Sequence, residues 1–192
     1  MERTKNIILL DNNILAHEHG IRQIEKLINA NIKIDFNQGL DARIALKNNY
    51  IELLSKVKVI KYYRFACDTK AQISVIEKIV SEFAKYKIKP SKIFVYALIT
   101  NNINESIERI NFLRQLGVKP FCQPYISYHK KISIPQIQKD LARWCNHKAI
   151  FYSIDFYQYL LSKYNKTIVH QTFEKYNIKL CKSALTQERT QE

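Results

Sequence analysis

Short apolar runs alternate with longer stretches of helical periodicity along this chain, and most of the runs end in amides or carboxylates. Asn6-Ile7-Ile8-Leu9-Leu10 stops at Asp11-Asn12-Asn13, the pattern of a strand covered on both faces. Ile21, Ile24, Leu27 and Ile28 then repeat at the spacing of one helix face. A second strand is predicted over Ile32 to Phe36, a third within Val57 to Ala66, a fourth over Lys92 to Ile99 and a short fifth over Phe121 to Tyr125. Between them lie a helical stretch from Ile44 to Leu54, broken around Asn48-Asn49, and a clearer helix with Thr69 as its N-cap. That second helix carries Ile73, Ile76, Ile79, Val80 and Phe83 on one face. A third, through Ile107, Ile110, Leu113 and Leu116, is closed by Gly117. Further helices are expected from about Pro135 to Asn146 and from Ile154 to Tyr164.

Strands that alternate with helices predict an α/β fold with a parallel sheet and right-handed crossovers. No linker divides the chain, and nothing repeats beyond the βα unit. Residues 1–166 are therefore expected to form the α/β body. Residues 167–192 are expected to form a polar C-terminal tail with a frayed end from Thr186.

At 192 residues and 22.7 kDa the chain is long enough for one domain with a sizeable core. No apolar run is long enough for a membrane span, and Met1 to Asn6 lead straight into a strand without the features of a signal peptide. A cytoplasmic location with no membrane association is the expectation. Cys67, Cys122, Cys145 and Cys181 are widely scattered, which predicts free thiols rather than a disulfide framework or a metal cluster. The net charge of +14, with a pI near 9.6, raises nucleic acid as a partner. Against that, Lys and Arg are spread along the chain, and a Lys-, Ile- and Asn-rich composition produces such a charge without any binding role.

The strand ends carry the candidate chemistry. In order they are Asp11-Asn12-Asn13, Asn37-Gln38-Gly39-Leu40-Asp41, Arg64 with Asp68, Thr100-Asn101-Asn102 and Gln123-Pro124-Tyr125. Sites in parallel α/β folds gather at the C-terminal ends of strands. Amides donate and accept at once, which suits an uncharged polar ligand such as a ribose, an adenine edge or an amino-acid backbone. The chain has 3 Gly in all, so Gly39 at this junction predicts a turn of unusual backbone geometry. Asp41 with Arg43 and Arg64 with Asp68 also fit simple ion pairs.

Other signals are weak. His17-Glu18-His19 lacks the spacing of a helical metal site, and Gly-rich phosphate loops are absent. Tyr62, Tyr63, Phe65, Phe94 and Tyr96 fall on strands, where core or sheet packing is expected rather than base stacking. Trp144 reads as a large buried anchor on its helix.

Taken together, Ile8-Leu9-Leu10-Asp11-Asn12-Asn13, Asp35-Phe36-Asn37-Gln38-Gly39-Leu40-Asp41-Ala42-Arg43, Arg64-Phe65-Ala66-Cys67-Asp68, Phe121-Cys122-Gln123-Pro124-Tyr125 and Leu141-Ala142-Arg143-Trp144 resemble the radical S-adenosylmethionine (radical SAM) superfamily. The resemblance covers roughly residues 6 to 160, and the Asn-Gln-Gly-Leu-Asp segment is its most specific part. It implies a parallel-stranded partial TIM-type barrel of about five βα units, an incomplete version of the family's (β/α)6 core. It implies S-adenosylmethionine across the strand ends, with Asp11, Asn12 and Asn13 at its methionine end. Asn37, Gln38, Asp41, Arg64 and Asn101 would line the mouth.

The chain departs from the family in one respect. The family carries a CxxxCxxC segment after its first strand, and none of the four cysteines here substitutes for it by spacing. An iron–sulfur cluster is therefore not expected from this chain alone, and radical enzyme chemistry would require a separately supplied cluster segment. A truncated, split or degenerate member is one expectation, with a partner chain supplying the first βα unit or with self-association across the exposed edge. The alternative is a basic, cluster-less binding module for nucleic acid or a protein partner.

Overall fold

A computed structural model describes residues 5–126 and 133–179. Cys181 and the chain end from Thr186 lie outside the described residues. The elements run β1 (Asn6–Leu9), α1 (Glu18–Asn29), β2 (Lys33–Phe36), α2 (Ala42–Lys47), α3 (Tyr50–Ser55), β3 (Tyr63–Ala66), α4 (Ile73–Lys85) and β4 (Ile93–Ile99). They continue through α5 (Ile103–Gln115), β5 (Lys119–Pro124), α6 (Gln136–Asn146), α7 (Lys148–Ser153), α8 (Phe156–Leu161) and α9 (Lys166–Lys175). Among the described residues no helix is long and apolar enough to cross a membrane.

The protein is α/β, with its strands in two small sheets. β1 pairs parallel with β2, from Asn6 opposite Lys33 to Leu9 opposite Phe36. β3 pairs parallel with β4, from Tyr63 opposite Ile93 to Ala66 opposite Tyr96, in a sheet ordered β3-β4-β5. One continuous five-stranded wall is not what forms. Between β2 and the β3 segment the ladder shrinks to two single parallel bridges, Ile34 with Val59 and Leu40 with Phe65. The turn at Asn37–Gly39 on one side and the bend before Tyr63 on the other pull the two backbones out of pairing.

The chain divides into two compact units, Met1–Ala97 with Phe112–Pro120, and Leu98–Asn111 with Phe121–Glu192. In the first, Ile34, Phe36, Phe65, Ile93 and Val95 are buried together with the apolar faces of the helices, including Ile24, Leu54, Ile76, Ile79 and Phe83. The period-2 alternation of a strand sends every second side chain the other way. There Asp35, Arg64, Phe94 and Tyr96 are only half-buried. Strands sandwiched between helix layers would be covered on both faces; here one face is closed and the other half open. β1 departs furthest from expectation, because Ile8 is 61% and Leu10 70% exposed rather than covered on both sides.

Local rules account for the breaks. Asn49 at φ 54° separates α2 from α3, and Gly117 at φ 72° closes α5. Gly20 meets a different demand, since a Cβ there would stand 2.0 Å from the Ile14 carbonyl oxygen. Only a residue without a side chain lets α1 start against that turn.

In the second unit Trp144 is fully buried, edge-on to Phe151 at 4.8 Å and tilted to Phe156 at 5.5 Å, with its indole N–H donating to the Ile154 carbonyl at 3.1 Å. Cys122 and Cys145 are free buried thiols with sulfurs 2.8 Å apart, and burial pushes the Cys122 thiol well up. Asp140, buried on α6, is held by Lys163, by the Tyr164 hydroxyl at 2.8 Å and by Gln136 at 3.1 Å. The periodicity does not predict α9; Val169 and Phe173 give it a buried face within the stretch that reads as polar tail.

Candidate functional site

The first unit gathers the C-terminal ends of successive parallel strands around a cavity of about 250 Å³. After β1, Asp11 Oδ1 accepts from the Asn13 N–H at 2.9 Å, a tight turn that an Asp two residues upstream stabilises. Asn13 Oδ1 in turn accepts from the Asp41 N–H at 3.3 Å, which fastens the first strand end to the second.

After β2, the Gly39 N–H donates to the Phe36 carbonyl at 3.0 Å in a turn that Gly39 completes at φ 91°. The unusual turn expected at this glycine is present. Its backbone would strain any side chain, although the space beside it is open to 3.6 Å. Leu40 then donates to the Arg64 carbonyl at 2.8 Å, and Asp41 caps α2 by accepting from the Arg43 N–H at 2.8 Å. Arg43 also grips the same carboxylate with its side chain, at 3.1 and 2.7 Å. The guanidinium hydrogen bond, aided by backbone N–H groups and opposed by burial, holds the Asp41 carboxyl below its ordinary value.

After β3, Gln72 Oε1 accepts from the backbone N–H groups of Asp68 at 2.7 Å and Thr69 at 3.0 Å, closing the loop into α4. Thr69 caps the short turn Lys70–Gln72 rather than α4 itself, whose own N-cap position is Gln72, so the expected cap lies one turn ahead of the helix.

Asn12, Asn13, Gln38, Asp41, Arg43, Gln72 and Tyr96 give the cavity its polar lining, and Leu40, Ala42, Phe65, Ala66 and Val75 its apolar wall. Of the residues picked out from sequence, the structure thus brings Asn12, Asn13, Gln38 and Asp41 to one cavity. Asp11 and Asn37 support its rim through backbone contacts, the Asn37 carbonyl accepting from the Tyr96 hydroxyl at 3.4 Å.

Arg64 does not line the cavity. It pairs with Asp35 rather than standing with Asp68, because strand alternation puts Arg64 and Asp35 on the same half-open face. Asn101 belongs to the second unit, where its Oδ1 accepts from Gln138 at 3.2 Å. The sequence does not single out Arg43, Gln72 or Tyr96 as cavity residues, although all three line it, whereas Asp35 stays outside the lining and holds Arg64. Asp35 and Tyr96 both read as the polar teeth of alternating strands.

Among the described residues no group of three or more His, Cys, Asp or Glu could hold a metal ion. The chemistry of the lining is that of a neutral polar pocket. Its amides offer both donors and acceptors, and its one carboxylate is already neutralised by Arg43. No family model, no curated protein and no solved structure matches this chain.

Proposed function

We propose that the strand-end cavity of the first unit binds S-adenosylmethionine, in a radical SAM-like core whose strands follow one another as in the wall of a partial TIM-type barrel. The observation that carries this reading is the joint lining of one cavity by Asn12, Asn13, Gln38 and Asp41, residues from two separate strand ends tied together by the Asn13–Asp41 hydrogen bond. The two single bridges between β2 and the β3 segment support the same strand order, each in the parallel sense such a wall requires.

At about 250 Å³ the cavity lies just under the usual range for ligand pockets, about 300–1,000 Å³. It suits the nucleoside or the amino-acid half of the cofactor more than both at once. Three of the cysteines are buried, and the described side chains do not fit a four-iron cluster. In this reading the chain binds the cofactor, and radical cleavage requires cluster thiolates from a partner chain.

Isothermal titration with S-adenosylmethionine, adenosine and methionine tests the reading. Saturable binding is expected, weakened roughly 10-fold by Asn13→Ala or Gln38→Ala, about the value of one or two lost hydrogen bonds. Absence of binding by all three compounds, with the protein folded by circular dichroism, would refute it. Anaerobic incubation with iron and sulfide should leave the isolated chain colourless.

A further inference from the structure

Helices α6, α8 and α9 of the second unit line a cavity of their own, about 430 Å³ in volume, which shares no residue with the strand-end cavity. That volume falls within the range of small-molecule pockets, about 300–1,000 Å³. Its wall is apolar: Ile137 of α6, Leu160 of α8 and Val169 of α9 are buried there, and Pro135 adds to it. Ile168, in the first turn of α9, lines the same cavity yet is 45% exposed. The cavity thus leaves apolar surface in water that an occupant would cover.

The polar groups of the lining differ in what they have left to offer. Asp140 accepts from Lys163, from the Tyr164 hydroxyl and from Gln136, so its charge is met and needs no further cation. The Thr172 hydroxyl donates to the Ile168 carbonyl at 2.8 Å. Lys175 stands apart. Its ammonium lies 5.4 Å from the centroid of the Tyr176 ring, another lining residue, and among the described residues neither that ammonium nor the Tyr176 hydroxyl meets an acceptor. The C-terminal dipole of α9 favours a cation there but occupies none of its three donors.

We infer that this cavity binds an aliphatic monocarboxylate of medium chain length, its chain along Ile137, Leu160, Ile168 and Val169 and its carboxylate on Lys175. A lining with apolar walls and one uncompensated cation matches a ligand divided in the same way. A cationic amphiphile is a poorer fit, because the carboxylate of the lining is already paired. The inference is independent of the cofactor reading, which concerns the other unit.

Isothermal titration of the full chain with hexanoate, octanoate and decanoate, each below its micelle-forming concentration, tests it. One equivalent is expected to bind, with affinity rising about 4-fold per buried methylene. Lys175→Gln should weaken octanoate about 10-fold, the value of one hydrogen bond to a charged group, and leave octan-1-ol within about 2-fold. Ile168→Glu, which sets a carboxylate into the lining at an exposed position, should weaken octanoate by about 10-fold as well. A control that removes the same charge from α6 outside the cavity, Lys139→Gln, should change affinity less than about 2-fold, because a distant surface charge is screened. Circular dichroism confirms that each variant folds. Absence of saturable binding by the folded chain would overturn the inference. So would affinity that is flat with chain length, octylamine binding as tightly as octanoate, or full octanoate affinity in Lys175→Gln. Self-association that Ile168→Glu abolishes, without uptake of any carboxylate, would assign the surface to a second copy instead.

Discussion

Arg64 holds Asp35 by two hydrogen bonds, Nε to Oδ1 at 3.0 Å and Nη2 to Oδ2 at 2.8 Å, where β2 and the β3 segment share only two single backbone bridges. Its third contact, Nη1 to the Tyr96 hydroxyl at 3.1 Å, extends the link to β4. The side chains thus stitch three strands where the backbone ladder is thin, and through Tyr96 they reach the Asn37 carbonyl at the rim of the cavity.

Removing Arg64 should therefore destabilise the first unit and loosen the cavity together. The two side chains are 17% and 16% exposed, so Arg64→Ala is expected to cost about 2–3 kcal/mol, less than the ~3–5 kcal/mol of a fully buried broken pair. Arg64→Lys keeps the charge but loses the fork and should recover about half. Urea unfolding midpoints check both. A midpoint for Arg64→Ala equal to that of the unaltered chain would show that the pair contributes nothing.

The Asp41–Arg43 pair predicts an acid-sensitive α2. The carboxyl sits below its ordinary value of 3.8 in the folded protein, mainly through the Arg43 hydrogen bond. Its stabilising contribution is then complete above that value and is lost as pH falls through the lower, folded one. Asp41→Asn retains a helix cap and cannot ionise, so it should flatten this part of the stability profile below about pH 4. Parallel acid titrations of the two proteins followed by circular dichroism would reveal the difference; superimposable curves would remove Asp41 as the cause.

Two glycines should fail differently. Gly39→Ala meets open space but a φ of 91°, and is expected to cost about 1–2 kcal/mol of backbone strain and to displace Gln38 from the cavity. Gly20→Ala forces a Cβ to 2.0 Å from a backbone oxygen, which α1 can relieve only by moving, at about 3 kcal/mol or more. Thermal melts should rank Gly20→Ala below Gly39→Ala. The reverse order would mean that α1 shifts freely.

The edge strand β1 leaves Ile8 and Leu10 largely exposed beside it. Unpaired strand edges with apolar side chains favour association. Sedimentation velocity is expected to show concentration-dependent self-association that Ile8→Lys with Leu10→Lys abolishes. A compact monomer across the accessible concentration range would dismiss the expectation.

Much of the element order was legible without coordinates, because it follows from local rules. Apolar runs of strand length, the helical face of Ile76, Ile79 and Phe83, the Thr69 cap, the break at Asn48-Asn49, and the turns at Gly39 and Gly117 all depend on residues close in sequence. The short α7, and α9 with its two buried apolar residues, left too little periodicity to register.

What only the tertiary structure decided is which face of each strand closes and which partner each polar group takes. Alternation says that Arg64 and Phe65 point opposite ways, but not which way is covered. Burial and long-range pairing settle that, across separations such as the 29 residues between Arg64 and Asp35. The same cause divided the aromatic residues into a buried and a half-buried set, and put Asn13 beside Asp41 at one cavity while Asn101 belongs to another unit.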